Sequence, residues 1–169
     1  GDVYKRQAVE SVEAAVRGAD VINVATAGAV SPEIQDEWLK EGVLLTLPAS
    51  AALSLNTMKS ARIVVDNWKM YEAYAQELRG LPGGYAANLS GICGYLMDLV
   101  EGGEIPQQDI VNLGDVIAGK QEGRRDDQER VIFIMDGMPI EDLAWGYTVY
   151  ENAKEMGLGT KLNLWEKTR

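Results

Sequence analysis

At 169 residues the chain is long enough for one domain with a real core, and 46% hydrophobic with 25% charged residues is ordinary for a water-soluble globular protein. A net charge of −10 argues against a nucleic-acid or anionic-membrane partner, because both select clustered Lys and Arg. There are no histidines and a single cysteine, Cys93, which excludes Ser-His-Asp and Cys-His nucleophilic systems, His-bearing or Cys-rich metal sites and an internal disulfide within this chain.

In chain order, Gly1 to Gln7 has no periodicity and reads as a non-native, adapter-like remnant, set aside from the fold. From Ala8 to Arg17, Val9, Val12, Ala15 and Val16 fit a short helix that Gly18 stops. Asp20 to Ala25 reads as a buried strand, followed by the small-residue turn Thr26-Ala27-Gly28. Ser31-Pro32-Glu33 has the pattern of a capped helix start and predicts a helix to about Lys40. Val43 to Leu47 is a second strand with the loop Pro48 to Ala52 after it. Leu55 to Ser60 is a short helix, and Ala61 to Val65 a third strand ending at Asp66.

Trp68 to Arg79 is helical by pattern, and Leu81 to Gly84 is a break. Tyr85 to Val100 reads as a helix despite Gly91 and Gly94, and Asp109 to Gly119 as a short strand or turn leading into a helix. Glu122 to Arg130 is a solvated, mixed-charge connection. The apolar run Val131 to Met135 predicts a buried strand. Asp136-Gly137 turns the chain, and Pro139 sits at a first helical position with Glu141 and Asp142 favouring the helix dipole. Ile140, Leu143, Ala144 and Tyr147 recur at helical spacing, predicting an amphipathic helix that Gly157 ends.

Helices alternating with short apolar strands mean a parallel sheet with crossover helices. The fold class is therefore α/β, a partial Rossmann-like, doubly wound parallel sheet followed by C-terminal helices. Such a dinucleotide fold opens on G-x-G-x-x-G in its first βα turn. This chain has none. That leaves either a different fold or a fragment whose first half lies upstream of Ala8, and the adapter-like start favours the fragment.

Four stretches, ADVINVATAG, SPEIQDEWLKEGVLL, SARIVVD and LGDVIAGKQEGRR, with VIFIMDGMPIEDLAWGYTVYENAKEMGLG as a fifth, resemble the C-terminal half of the ornithine cyclodeaminase/mu-crystallin family. The similarity covers nearly all of Ala8 to Gly159, and its last block is specific. Within the family, residues 47–78 and the ending KLNLWEK are most similar to members of the tyramine oxidase B-component type. The resemblance implies an NAD- or NADP-dependent oxidoreductase or deaminase acting on an amino acid, amine or imine, homodimeric when full length. It also implies that residues 8–159 are the C-terminal part of the NAD(P)-binding domain and that residues 160–169 return to a missing substrate and dimerisation domain. Without the phosphate-binding turn, the chain by itself is expected to bind dinucleotide poorly.

By the same resemblance, Ala25, Thr26 and Ala27, then Leu47, Pro48 and Ala49, then Asp136 and Gly137 line the nicotinamide side of the cofactor cleft. Each group lies at the carboxyl end of a predicted strand, where α/β proteins place ligands. One departure matters. Cyclodeaminases carry an aspartate in the loop after the strand corresponding to Val43–Leu47, and this chain has PASAAL there, with Ser50 or Ala51 in its place. A serine is uncharged at neutral pH and cannot replace a carboxylate as base or as partner to an ammonium. Ornithine cyclisation is therefore not expected.

Ser50 and Asp136 remain the catalytic candidates, Asp136 being a turn-former before glycine in the plainer reading. A non-catalytic NAD(P)-binding or accessory subunit is the competing function. Asp66 reads as a helix-capping residue, Cys93 as a buried apolar filler, and Trp145 and Tyr147 as packing groups. No metal site, nucleic-acid surface or membrane span is expected. With one thiol, no secretory signal and no apolar run near the roughly 18 residues of a span, the expected compartment is the cytoplasm.

Overall fold

A computed structural model of the chain describes residues 7–27, 30–89 and 91–162. The opening remnant except Gln7, Gly28 of the first turn and most of the predicted tail 160–169 thus lie outside the described residues. The chain divides into two compact units, residues 1–136 and 137–169.

The first unit contains α1 (Val12–Val16), β1 (Val21–Asn23), β2 (Glu33–Ile34), β3 (Leu44–Leu47), β4 (Ala52–Leu53), α2 (Leu55–Ser60) and β5 (Arg62–Val65). It continues with α3 (Trp68–Leu78), α4 (Cys93–Glu101), β6 (Val111–Asn112), α5 (Leu113–Ile117) and β7 (Val131–Ile134). Five strands form one sheet in the order β1-β3-β7-β5-β6. Every pairing is parallel, with Leu45 opposite Ile132 and Ile132 opposite Ile63 in register. The α/β class with a parallel sheet is as the sequence predicts. The last strand enters at the centre, between β3 and β5, so the chain's longest-range pairings hold the sheet together.

Side chains alternate across the strands. Leu45, Leu47, Ile63, Val65, Ile132 and Ile134 face the main core, which takes in Val16 of α1, Met58 of α2, Tyr71 of α3 and Leu96 of α4. Val64, Val111 and Val131, with Leu44 and Phe133, pack on a smaller cluster with Leu113 and Val116 of α5. Both faces of the sheet carry helices, which is why its strands are nearly continuous apolar runs.

Two predicted helices are corrected. The capped start at Ser31 does not lead into a helix: Glu33–Ile34 forms β2, pairing in parallel with Ala52–Leu53, and a 3-10 turn over Asp36–Trp38 follows. Pro32 O accepts the Ala52 amide at 2.9 Å and Ile34 is buried, so a partner strand beyond the local sequence overrides the capping pattern. Asp36 instead receives Arg130 Nη1 at 2.9 Å and the Thr57 hydroxyl at 3.1 Å. The second correction is at Tyr85 to Val100, where only Cys93–Glu101 is helical. Residues 82–88 form turns held by the Asp98 carboxylate, which accepts Tyr85 N at 2.7 Å and Ala86 N at 2.9 Å. Gly94 is required inside α4 because a Cβ there would meet Tyr85 O at 2.6 Å.

The second unit holds the helix α6 (Pro139–Glu155), with Pro at the first turn and Glu141 and Asp142 beside it, as predicted. Its predicted amphipathic packing is not observed, for none of its residues is buried. Ile140, Leu143, Tyr147 and Tyr150 share one side at 3.6 residues per turn, but Trp145 and Val149 fall on roughly the opposite side. All six are exposed.

Candidate functional site

The strands end in loops that are stitched to one another. Beyond β1, Val24 N donates to Thr46 O at 2.9 Å, and Ala49 N donates to Val24 O at 3.0 Å. Beyond β7, Met135 N donates to Leu47 O at 3.3 Å, and Asp136 N to Asp66 Oδ2 at 2.9 Å. Asp66 Oδ1 accepts Asn67 N at 2.9 Å. Only 3% exposed, Asp66 is thus a clasp joining the ends of β5 and β7, while the N-cap of α3 is Asn67 rather than Asp66.

Among these loops lies a cavity of about 300 Å3 at the carboxyl ends of β1, β3 and β7. Thr26 and Ser31 form one wall, Leu47, Pro48, Ala49 and Ser50 another. Gly91, Ile92 and Cys93, at the start of α4, close a third side, and Ile134, Met135 and Asp136 supply the last. Of the sequence candidates, the fold brings together Thr26, Leu47, Pro48, Ala49, Ser50 and Asp136. Ala25 and Ala27 are exposed and outside this wall. Gly137, with φ +91° in the turn, opens the second unit.

Sequence reasoning missed Ser31 and the Gly91–Cys93 side, because these residues reach the cavity through the turn that replaces the predicted helix. A Cβ built on Gly91 would lie 3.8 Å from Cys93 Sγ and 3.9 Å from Ser50 Oγ. The absent side chain leaves the space between thiol and hydroxyl open.

Asp136 is the one carboxylate in the wall, and no Lys or Arg joins it there among the described residues. Cys93, 2% exposed, is buried as predicted but is not inert filler. Its Sγ lies 3.6 Å from Asp136 Oδ1, within donor range for sulfur. Burial, and then the neighbouring Asp136 charge, push the thiol up to about 12, so at neutral pH it is a protonated donor and not a nucleophile. The neighbouring Asp136 carboxylate, and then partial burial, also raise the Tyr74 pKa. Tyr71, stacked on Trp68 at 5.4 Å, places its hydroxyl near Asp66 without a hydrogen bond of ordinary length among the described residues. Burial and the Asp66 charge raise its pKa in turn.

Among the described residues no three His, Cys, Asp or Glu side chains converge on a point that could hold a metal. Nor is any helix there long and apolar enough to cross a membrane. The cavity offers small side chains, backbone, two hydroxyl-bearing walls and one oriented carboxylate. That set can bind and orient a flat, polar ring and a positively charged group.

Residues 4–157 match the model of the ornithine cyclodeaminase/mu-crystallin family. The chain is 31% identical over 160 residues to an alanine dehydrogenase of Archaeoglobus fulgidus, a match spanning 91% of this chain and 43% of that one. An archaeal alanine dehydrogenase dimer with bound NAD has the same fold at TM-score 0.62 and 27% identity, over 94% of this chain and 45% of the other. The iminosuccinate reductase of Paracoccus denitrificans in complex with NAD+ matches at TM-score 0.64 and 26% identity, over 94% and 44%. The chain therefore spans less than half the length of these relatives.

Proposed function

The chain belongs to the ornithine cyclodeaminase/mu-crystallin family, and on that footing we propose that the whole protein is an NAD(P)-dependent oxidoreductase acting on an amino acid, an amine or the corresponding imine. In this reading the cavity beyond β1, β3 and β7 is the nicotinamide end of the cofactor cleft. The observation that carries it is the convergence of Thr26, the Leu47–Ser50 loop and Asp136 on one cavity at the strands' carboxyl ends, the place where open α/β sheets take ligands. The residues fit the group. The bare Gly91 leaves the space between Cys93 Sγ and Ser50 Oγ open, and the small side chains of Ala49 and Ser50 line the same cavity of about 300 Å3, which leaves room for a ring.

When bound, the nicotinamide supplies the electron-pair transfer that no side chain here can perform. The chain's own part is to seat the ring against Leu47, Pro48 and Ala49, to offer the Thr26 and Ser50 hydroxyls as polar contacts, and to narrow access for water. Redox chemistry on amino acids and imines is favoured over cyclisation because, by the resemblance, Ser50 or Ala51 stands where cyclodeaminases carry their loop carboxylate. The homodimer and the cytoplasmic setting are extended to the whole protein as part of the same reading.

A second reading keeps the cleft and drops the turnover: an NAD(P)-binding accessory subunit, favoured by the absent loop carboxylate and by the resemblance to the B component of tyramine oxidase. The test is to follow the nicotinamide absorbance band while the purified whole protein is offered NADH or NADPH with ammonia and 2-oxo acids or cyclic imines, and NAD or NADP with amino acids and amines. Turnover with any of these establishes the oxidoreductase. Tight cofactor binding without turnover on the panel favours the accessory subunit.

A further inference from the structure

We propose that Asp136 is the cation-recognising residue of this cavity, its carboxylate held by Cys93 to face a positive charge on what binds there. That charge is the ammonium or iminium nitrogen of a substrate, or the ring of an oxidised nicotinamide. The inference rests on the reading of the cavity as the nicotinamide end of the cleft.

The turn at Asp136 carries two neighbouring carboxylates with different tasks. Asp66 is buried and spends both oxygens on backbone amides, Asn67 N and Asp136 N. The Asp136 side chain is exposed and belongs to the cavity wall. The groups facing it are the Cys93 thiol from α4, the Tyr74 and Tyr71 hydroxyls from α3 and the Asp66 carboxylate. None of these is a cation, so the charge of Asp136 is not neutralised within the cluster.

One of these neighbours, Cys93, donates to Asp136. The Cys93 S–H fixes its direction and leaves acceptor capacity open, since a carboxylate has about four lone-pair sites. This donor stays protonated well above neutral pH, because burial and then the carboxylate itself hold the thiol in its neutral form. A fixed anion in a recess without basic side chains selects for positive charge. Ser50, in the same cavity wall, carries no charge, so Asp136 is the group left to do it.

The experiment compares the purified whole protein with its Asp136→Asn variant by calorimetry. The probes are NAD, NADH and, on the NADH-loaded protein, L-alanine as an ammonium-bearing ligand. A loss of about tenfold or more in NAD affinity with NADH unchanged assigns the charge to the oxidised ring. The same loss for L-alanine alone assigns it to the substrate nitrogen. Changes below twofold in all three overturn the proposal. Wild-type binding of NADH separates the two readings: without it the cleft reading fails and takes this inference with it, whereas binding that is indifferent to Asp136→Asn removes only the inference. For the positioning role, Cys93→Ala is expected to lose about threefold or more on the same probe and Cys93→Ser to regain it. Equal behaviour of the two variants overturns that role, and matching melting temperatures exclude misfolding as the cause.

Discussion

β7 and α6 lie a few residues apart in the chain and are both rich in large apolar side chains, yet they end in opposite environments. Ile132 is 2% exposed between β3 and β5, whereas Leu143 is 67% and Trp145 74% exposed on α6. The difference teaches that apolar content establishes an element while register and partners decide its burial. β7 alternates between two faces that each meet a cluster. α6 carries apolar groups on opposite sides, so no single packed face would cover them all.

The contrast breaks first at the strand. Ile132→Ala should cost the 169-residue chain about 2–5 kcal/mol, read as a fall in the urea midpoint, through lost burial and a cavity at the sheet's centre. A cost under about 0.5 kcal/mol would mean the core is not where the structure puts it.

Cys93 sharpens the contrast chemically. With its thiol pushed from an ordinary value near 9 up to about 12, labelling by a thiol reagent at pH 8 should be about a thousandfold slower in the native state than in urea. Because the folded value is raised, its contribution to stability is complete below pH 9 and is lost as pH climbs through about 12. Prompt labelling of the native protein would contradict the burial.

Two glycines divide the regions next. Gly94→Ala in α4 forces a Cβ against Tyr85 O at 2.6 Å and should destabilise by about 1–3 kcal/mol. Gly146→Ala in α6 meets nothing within 4 Å and should raise helix content and stability slightly, by up to about 1 kcal/mol. Circular dichroism and thermal melts of the pair read both signs, and like signs would erase the distinction. The smallest effect belongs to Leu143→Ala, expected within about 0.5 kcal/mol in the 169-residue chain. A core-sized loss there would show that α6 is packed.

Much of this fold was legible in the sequence. β1, β3, β5 and β7 follow from short apolar runs, and α2, α3 and α6 from caps and spacing, because these signals are local. Residues 31–40 were not legible as strand and turn, since Ile34 gains its place by pairing with Leu53, outside any helical window. Residues 85–88 were misread as helix because their turn is held by Asp98, a carboxylate whose acceptor role has no local pattern. The site divides the same way. Thr26, Leu47 to Ser50 and Asp136 could be found at strand ends, but Cys93 joins Asp136 across 43 residues of chain, which no spacing rule reveals.

The measurement that bears most directly on the central claim is calorimetric titration of NADH and NADPH into the whole protein and into its Ala49→Trp variant, whose indole would fill the cavity. The account predicts micromolar or tighter wild-type binding of at least one cofactor, with a loss of about tenfold or more in the variant at unchanged circular dichroism. Wild-type protein that binds neither cofactor, or a variant that binds as well as wild type, would contradict it.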